Sequence, residues 1–199
     1  MIRLMLIDDH PIVRAGLRAV LNSFGDVEVV AEADNGAAEV PAGVDVVVTD
    51  IQMPVASGIE LTRRLTGAGG PPVLILTTYD TQSDVVAAME AGALGYLLKD
   101  APEEELHEAV VKAARRERVL APQAVGVLAD RVMHPEEALS GREIEILQAL
   151  QTGASNREIA QSLFISQATV KTHLIHIYGK LGVDNRTAAV QRAREKRII

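Results

Sequence analysis

Asp8, Asp9, Asp50, Thr77, Thr78 and Lys99 are side chains of the kinds that handle phosphoryl groups. A carboxylate attacks phosphorus as a nucleophile, or joins others to hold a hard cation through oxygen. A lysine ammonium neutralises charge on the transferring group, and a threonine hydroxyl hydrogen-bonds one of its oxygens. Any one of them, taken alone, reads best as a solvated polar residue. Their placement is what joins them, because each follows or ends a short apolar run. Asp8 and Asp9 follow the run 4–7, Asp50 follows 44–49, Thr77 closes 73–77 with Thr78 next, and Lys99 follows 95–98.

Those runs, together with 27–31, are predominantly apolar rather than alternating, as expected for strands buried on both faces. Amphipathic stretches at 12–21, 58–65, 85–91 and 103–116 alternate with them and read as helices. The series predicts a flavodoxin-like α/β fold, a doubly wound parallel sheet of five strands in the order 2-1-3-4-5. In that order strands one and three are neighbours, and Asp8, Asp9 and Asp50 converge beyond their carboxyl ends. Three close carboxylates repel unless a cation joins them, and an all-oxygen set suits Mg²⁺. The connection 36–45 carries Pro41 and Gly43, so its helix is expected to be weak or irregular.

Charge divides the chain. Residues 1–139 hold 11 Lys and Arg against 22 Asp and Glu, whereas 140–199 hold 9 against 5. Only the second half suits a polyanion. The absence of cysteine excludes disulfides and thiolate metal sites. No apolar run approaches the roughly 20 residues of a membrane span, and a cytoplasmic location without membrane partners is expected. With three Tyr, two Phe and no Trp, base-stacking single-strand binders are disfavoured.

Between 119 and 138 the periodicity fades among Pro122, Gly126 and Pro135, which reads as a linker in which 124–132 can form a short helix. The remainder, 139–199, reads as four short helices forming a small all-α helix-turn-helix domain. Ser140–Glu143 and Ser155–Glu158 fit the S-x-x-E capping box, further helices open at Ser166 and near Asn185, and Gly153 and Gly182 stand at helix ends. Stretches 156–163 and 167–181 are separated by Phe164-Ile165-Ser166, the short turn of a helix-turn-helix. On the second helix Val170, Leu174, Ile177 and Leu181 make the core face, which leaves Lys171, Thr172, Ile175 and His176 on other faces. Ser166 and Thr169 offer hydroxyls to phosphates at its start. His173 and His176 lack a third ligand nearby, so a metal pair there is not expected.

Asp8-Asp9, Asp50-Ile51-Gln52-Met53-Pro54, Leu76-Thr77-Thr78 and Gly95–Asp100 resemble the receiver domain of two-component response regulators over about 1–118. The stretch from Leu139 to Thr187 resembles the LuxR-type helix-turn-helix, and the pair together resembles the NarL/FixJ family. The resemblance implies that a histidine kinase phosphorylates Asp50, while Asp8, Asp9, Asp50 and the Gln52 carbonyl hold Mg²⁺. It assigns Thr77 and Tyr96 to the switch positions and Lys99 to the lysine position, although Tyr96 is equally read as ordinary packing. It also implies that Lys171 and Thr172 face double-stranded DNA, that the last helix pairs two subunits, and that phosphorylation favours a homodimer on two half-sites. RNA polymerase is a further candidate partner. Ser57 departs from the acidic or Asn residue many receivers carry before the following glycine. Tyr79, two residues after Thr77, is expected to hinder the hydrolytic water. A phosphatase acting on small esters is the competing reading, but Gln52 stands where such enzymes usually carry their acid. A DNA binder indifferent to phosphate is the other.

Overall fold

A computed structural model describes residues 1–78, 81–133 and 139–199. The chain forms two compact units, the first built from Met1–Asp80 and Asp84–Val125, the second mainly from Gly126–Ile199. No helix among the described residues is long and apolar enough to cross a membrane.

In the first unit, strands β1 (Ile2–Ile7), β2 (Val27–Ala33), β3 (Val46–Thr49), β4 (Val73–Thr77) and β5 (Gly95–Leu98) alternate with helices. The helices are α1 (Pro11–Ser23), α2 (Gly58–Gly67), α3 (Gln82–Glu90) and α4 (Glu103–Ala114). All described strand pairs are parallel, and the order is β2-β1-β3-β4-β5, with a further strand at Val119–Leu120 beside β5. Among the described residues the sheet therefore has six strands rather than the expected five. The extra one, β6 (Val119–Leu120), pairs Gly95 with Val119 and Tyr96 with Leu120 in the stretch read as linker. Two residues are too few to carry a strand period, so the sequence hides it. The same stretch also forms α5 (Pro122–Met133). Residues 36–45 form turns and no helix.

Strands β3 and β4 are buried along their whole length, in keeping with their unbroken Val, Ile and Leu content. Leu4, Leu6, Val46, Val48, Leu74, Leu76 and Leu97 meet Leu106, Ala109, Val110 and Ala113 of α4 in one core. Register then fixes the site. Ile7 lies opposite Thr49, and Thr77 opposite Leu98, so the residues that follow these strands emerge along one edge.

The second unit packs α6 (Gly141–Gln151), α7 (Asn156–Ser162), α8 (Gln167–Leu181) and α9 (Arg186–Glu195) around Ile146, Leu147, Ile159, Val170, Ile177 and Ala189. Both expected capping boxes form, at Ser140 with Glu143 and at Ser155 with Glu158. Ser166 and Asn185 cap α8 and α9.

Glu143 does more than cap. It is 3% exposed, and its Oε2 accepts from Ser140 N at 2.7 Å and from Lys180 Nζ at 2.8 Å, tying the start of α6 to the end of α8. Burial raises the Glu143 carboxyl, but the hydrogen bonds from Lys180 and Ser140 outweigh it and hold the group below its ordinary value. A lowered carboxyl stabilises the fold fully above its unfolded-state pKa and loses that contribution as pH falls through the folded value. The second unit should accordingly weaken as pH falls below about 4.5, the ordinary value of the carboxyl. Urea melts of wild type and Glu143→Gln across pH 3 to 7 check this, with the variant's curve the flatter over the acidic limb.

Candidate functional site

The edge of the first unit gathers Asp8, Asp9, Asp50, Thr77 and Lys99. Asp8 is 1% and Asp50 6% exposed. Lys99 Nζ bridges them, 2.6 Å from Asp8 Oδ2 and 2.7 Å from Asp50 Oδ2. Burial alone would lower the Lys99 pKa, but Asp50 and Asp8 outweigh it and raise the group above its ordinary value. The ammonium is thus charged at neutral pH. Asp50 Oδ1 accepts from Ile51 N at 2.7 Å, which leaves the carboxylate fixed at the strand end with its lone pairs directed by two donors.

The acidic corner has capacity to spare. Asp8 Oδ1 accepts from His10 N at 2.8 Å, while Asp8 Oδ2 faces Lys99 without the alignment of a hydrogen bond. Asp9 Oδ1 is also buried and accepts no hydrogen bond, although His10 Nδ1 lies 2.8 Å away. Asp8 Oδ2 already meets the Lys99 ammonium, whereas Asp9 Oδ1 is a buried carboxylate oxygen with no hydrogen-bond donor, and an oxygen-donor set of this kind fits a hard divalent ion. Ligand atoms of Asp8, Asp9 and His10 come within 4.8 Å of one another. His10 was not foreseen in the sequence, where an imidazole directly after two carboxylates was the available signal.

Thr77 is fully buried at the end of β4, Thr78 is exposed, and Gln52 is exposed two residues beyond Asp50. Tyr96 is 1% exposed, its ring already inside the fold. The expectation for Tyr79 lies outside the described residues.

The loop from Asp50 to α2 is held at both ends. Gly58 N donates to Ile51 O at 3.0 Å, and Ser57 caps α2 through a complete capping box with Glu60. Ser57, noted as a departure, thus supplies the N-cap oxygen that Asn or Asp would supply. The spacing Ser57–Glu60 fits the same S-x-x-E pattern as the two boxes in the second half.

In the second unit, α8 buries Val170, Leu174, Ile177 and Leu181, the face expected from their spacing. Lys171, Thr172 and His176 are exposed, and Ile175 is 69% exposed. At the helix start Ser166 Oγ accepts from Thr169 N at 3.0 Å and lies 2.8 Å from Thr169 Oγ1. Thr172 Oγ1 donates back to Ala168 O at 3.2 Å, so this hydroxyl is partly engaged within the helix.

Residues 4–111 match the response regulator receiver domain, and residues 137–193 match the luxR family of bacterial regulatory proteins. The chain belongs to the response regulators. The regulator is 38% identical to the transcriptional regulatory protein LiaR of Bacillus subtilis (strain 168), over the whole of both chains. It is 65% identical to the response regulator ChrA of a heme-sensing two-component system, whose crystal structure covers 100% of this chain and 98% of that one with a TM-score of 0.61. A structure of two RcsB dimers bound to two parallel DNAs is 25% identical, with a TM-score of 0.66 and coverage of 97% and 98%. A receiver joined to a LuxR-family DNA-binding domain makes this regulator a two-component transcription regulator, and its relatives are regulators rather than enzymes.

Proposed function

We propose that this regulator, acting in the cytoplasm, takes a phosphoryl group on Asp50 from a sensor histidine kinase and, once phosphorylated, binds operator DNA as a homodimer through α8. The observation that carries the reading is the Lys99 bridge between Asp8 and Asp50 inside a pocket with surplus carboxylate oxygen. An Asp50 oxygen attacks phosphorus, the bond from phosphorus to the kinase imidazole breaks, and that ring leaves with its nitrogen lone pair. Lys99 moves its charge to the phosphoryl oxygens, and the Thr77 hydroxyl donates to one of them. Asp8, Asp9, Asp50 and the Gln52 carbonyl would hold Mg²⁺, which when bound offsets the negative charge collected there.

On the DNA side, Ser166 and Thr169 present hydroxyls to a phosphate at the start of α8, Lys171 and Thr172 face the duplex, and Ile175 and His176 lie toward base edges. An apolar Ile175 suits a thymine methyl. The last helix pairs two subunits, so two half-sites lie about one DNA turn apart.

The test combines both halves. The full chain, treated with acetyl phosphate and Mg²⁺, should bind a duplex selected from random sequence more tightly than untreated chain. In the same assay Lys171→Ala should weaken binding and reduce the salt slope by about 0.9 log units, the value for one lost phosphate contact. An unaltered slope removes Lys171 from the phosphate, and equal binding with and without acetyl phosphate supports a DNA binder indifferent to phosphate.

A further inference from the structure

The turn between α7 and α8 contains a side chain whose placement serves neither the turn nor the core. Leu163 caps α7, Phe164 follows with φ +53°, and Ile165 N returns to Ala160 O at 3.0 Å. That hydrogen bond closes a helix around a left-handed residue, a place that favours glycine because a Cβ crowds the following carbonyl. Glycine does fill the left-handed position after α6 and α8, as Gly153 at φ +85° and Gly182 at φ +65°. Phe164 instead pays the backbone penalty and holds its ring 95% exposed.

The ring borders a groove of about 510 Å³ that is also lined by Arg157, Gln161, Ser166 and Gln167. Among the described residues the lining has a cation, two amides and a hydroxyl, and no carboxylate. It runs into the start of α8, where Ser166 and Thr169 lie. In residues 139–199 the exposed large apolar side chains are Phe164 and Ile175, too scattered for a protein interface core but matched to small apolar surfaces set between charges. The DNA backbone has that character, each deoxyribose offering an apolar face beside an anionic phosphate.

We propose that Phe164 is a DNA-backbone contact, its ring lying on a deoxyribose whose neighbouring phosphate is met by Arg157 and Ser166. This rests on the reading of α8 as the helix that enters the groove. A ring on a sugar adds affinity without neutralising a phosphate, so it acts on binding strength and leaves the salt dependence alone.

The test uses the full chain, acetyl phosphate and the selected duplex, followed by fluorescence anisotropy across a salt series. Phe164→Gly and Phe164→Asn both accept the left-handed backbone. Each should bind at least fivefold more weakly with an unchanged salt slope, while melting at the same temperature as wild type or higher. Phe164→Tyr should bind within twofold of wild type. Arg157→Ala should weaken binding and lower the slope. Unchanged affinity in the Gly and Asn variants overturns the proposal, as does weaker binding that accompanies a lower melting temperature or an altered oligomeric state. If wild type itself fails to bind the duplex, the DNA reading of the second unit has failed instead.

Discussion

Gly58→Ala is expected to destabilise the first unit by about 3 kcal/mol, the upper part of the usual range for overpacking a tight site. A Cβ at this position would stand 1.9 Å from Asp50 O, 2.9 Å from Asp50 C and 3.1 Å from Thr49 Cγ2. Two of those atoms are backbone, so relief requires the Asp50 peptide or the start of α2 to move. Either movement strains the hydrogen bond from Gly58 N to Ile51 O and shifts Asp50 relative to Lys99. Stability and phosphorylation should therefore fall together. Gly67→Ala is the control, since nothing lies within 4 Å of its Cβ position at the far end of the same helix. It should be neutral or stabilising by up to about 0.5 kcal/mol. Urea denaturation followed by circular dichroism measures both, and an unmoved Gly58→Ala midpoint would refute the packing argument.

Asp50→Asn should reduce phosphoryl incorporation from acetyl phosphate at least a hundredfold. The amide is no nucleophile for phosphorus and cannot form the acyl phosphate. The fold should survive, because Lys99 keeps Asp8 at 2.6 Å and the Ile51 N–H keeps an acceptor in the amide oxygen. Incorporation into wild type should be hydroxylamine-labile and should vanish when EDTA removes divalent ions. Label retained by Asp50→Asn would place the phosphoacceptor elsewhere.

The features legible in the sequence share a cause. Asp8, Asp50, Thr77 and Lys99 end apolar runs, and a parallel sheet turns that one-dimensional fact into a shared edge. The face of α8 was legible because Val170, Leu174, Ile177 and Leu181 keep a helical period. Features set by few residues or by distant ones were less legible. Strand β6 is too short to have a period, and the Lys180–Glu143 pair joins helices 37 residues apart. His10, the extended residue between Asp9 and α1, stands at the acidic corner where no spacing rule marks it. Phe164 gave no warning, since an aromatic in a left-handed turn is the reverse of what composition leads one to expect.

Lys99, seated between two of the three pocket carboxylates, also bears on how the protein waits. Lys99 supplies part of the pocket's counter-charge from within the chain itself. Part of the charge that holds the two carboxylates together is thus encoded in the polypeptide and made whenever the chain is made.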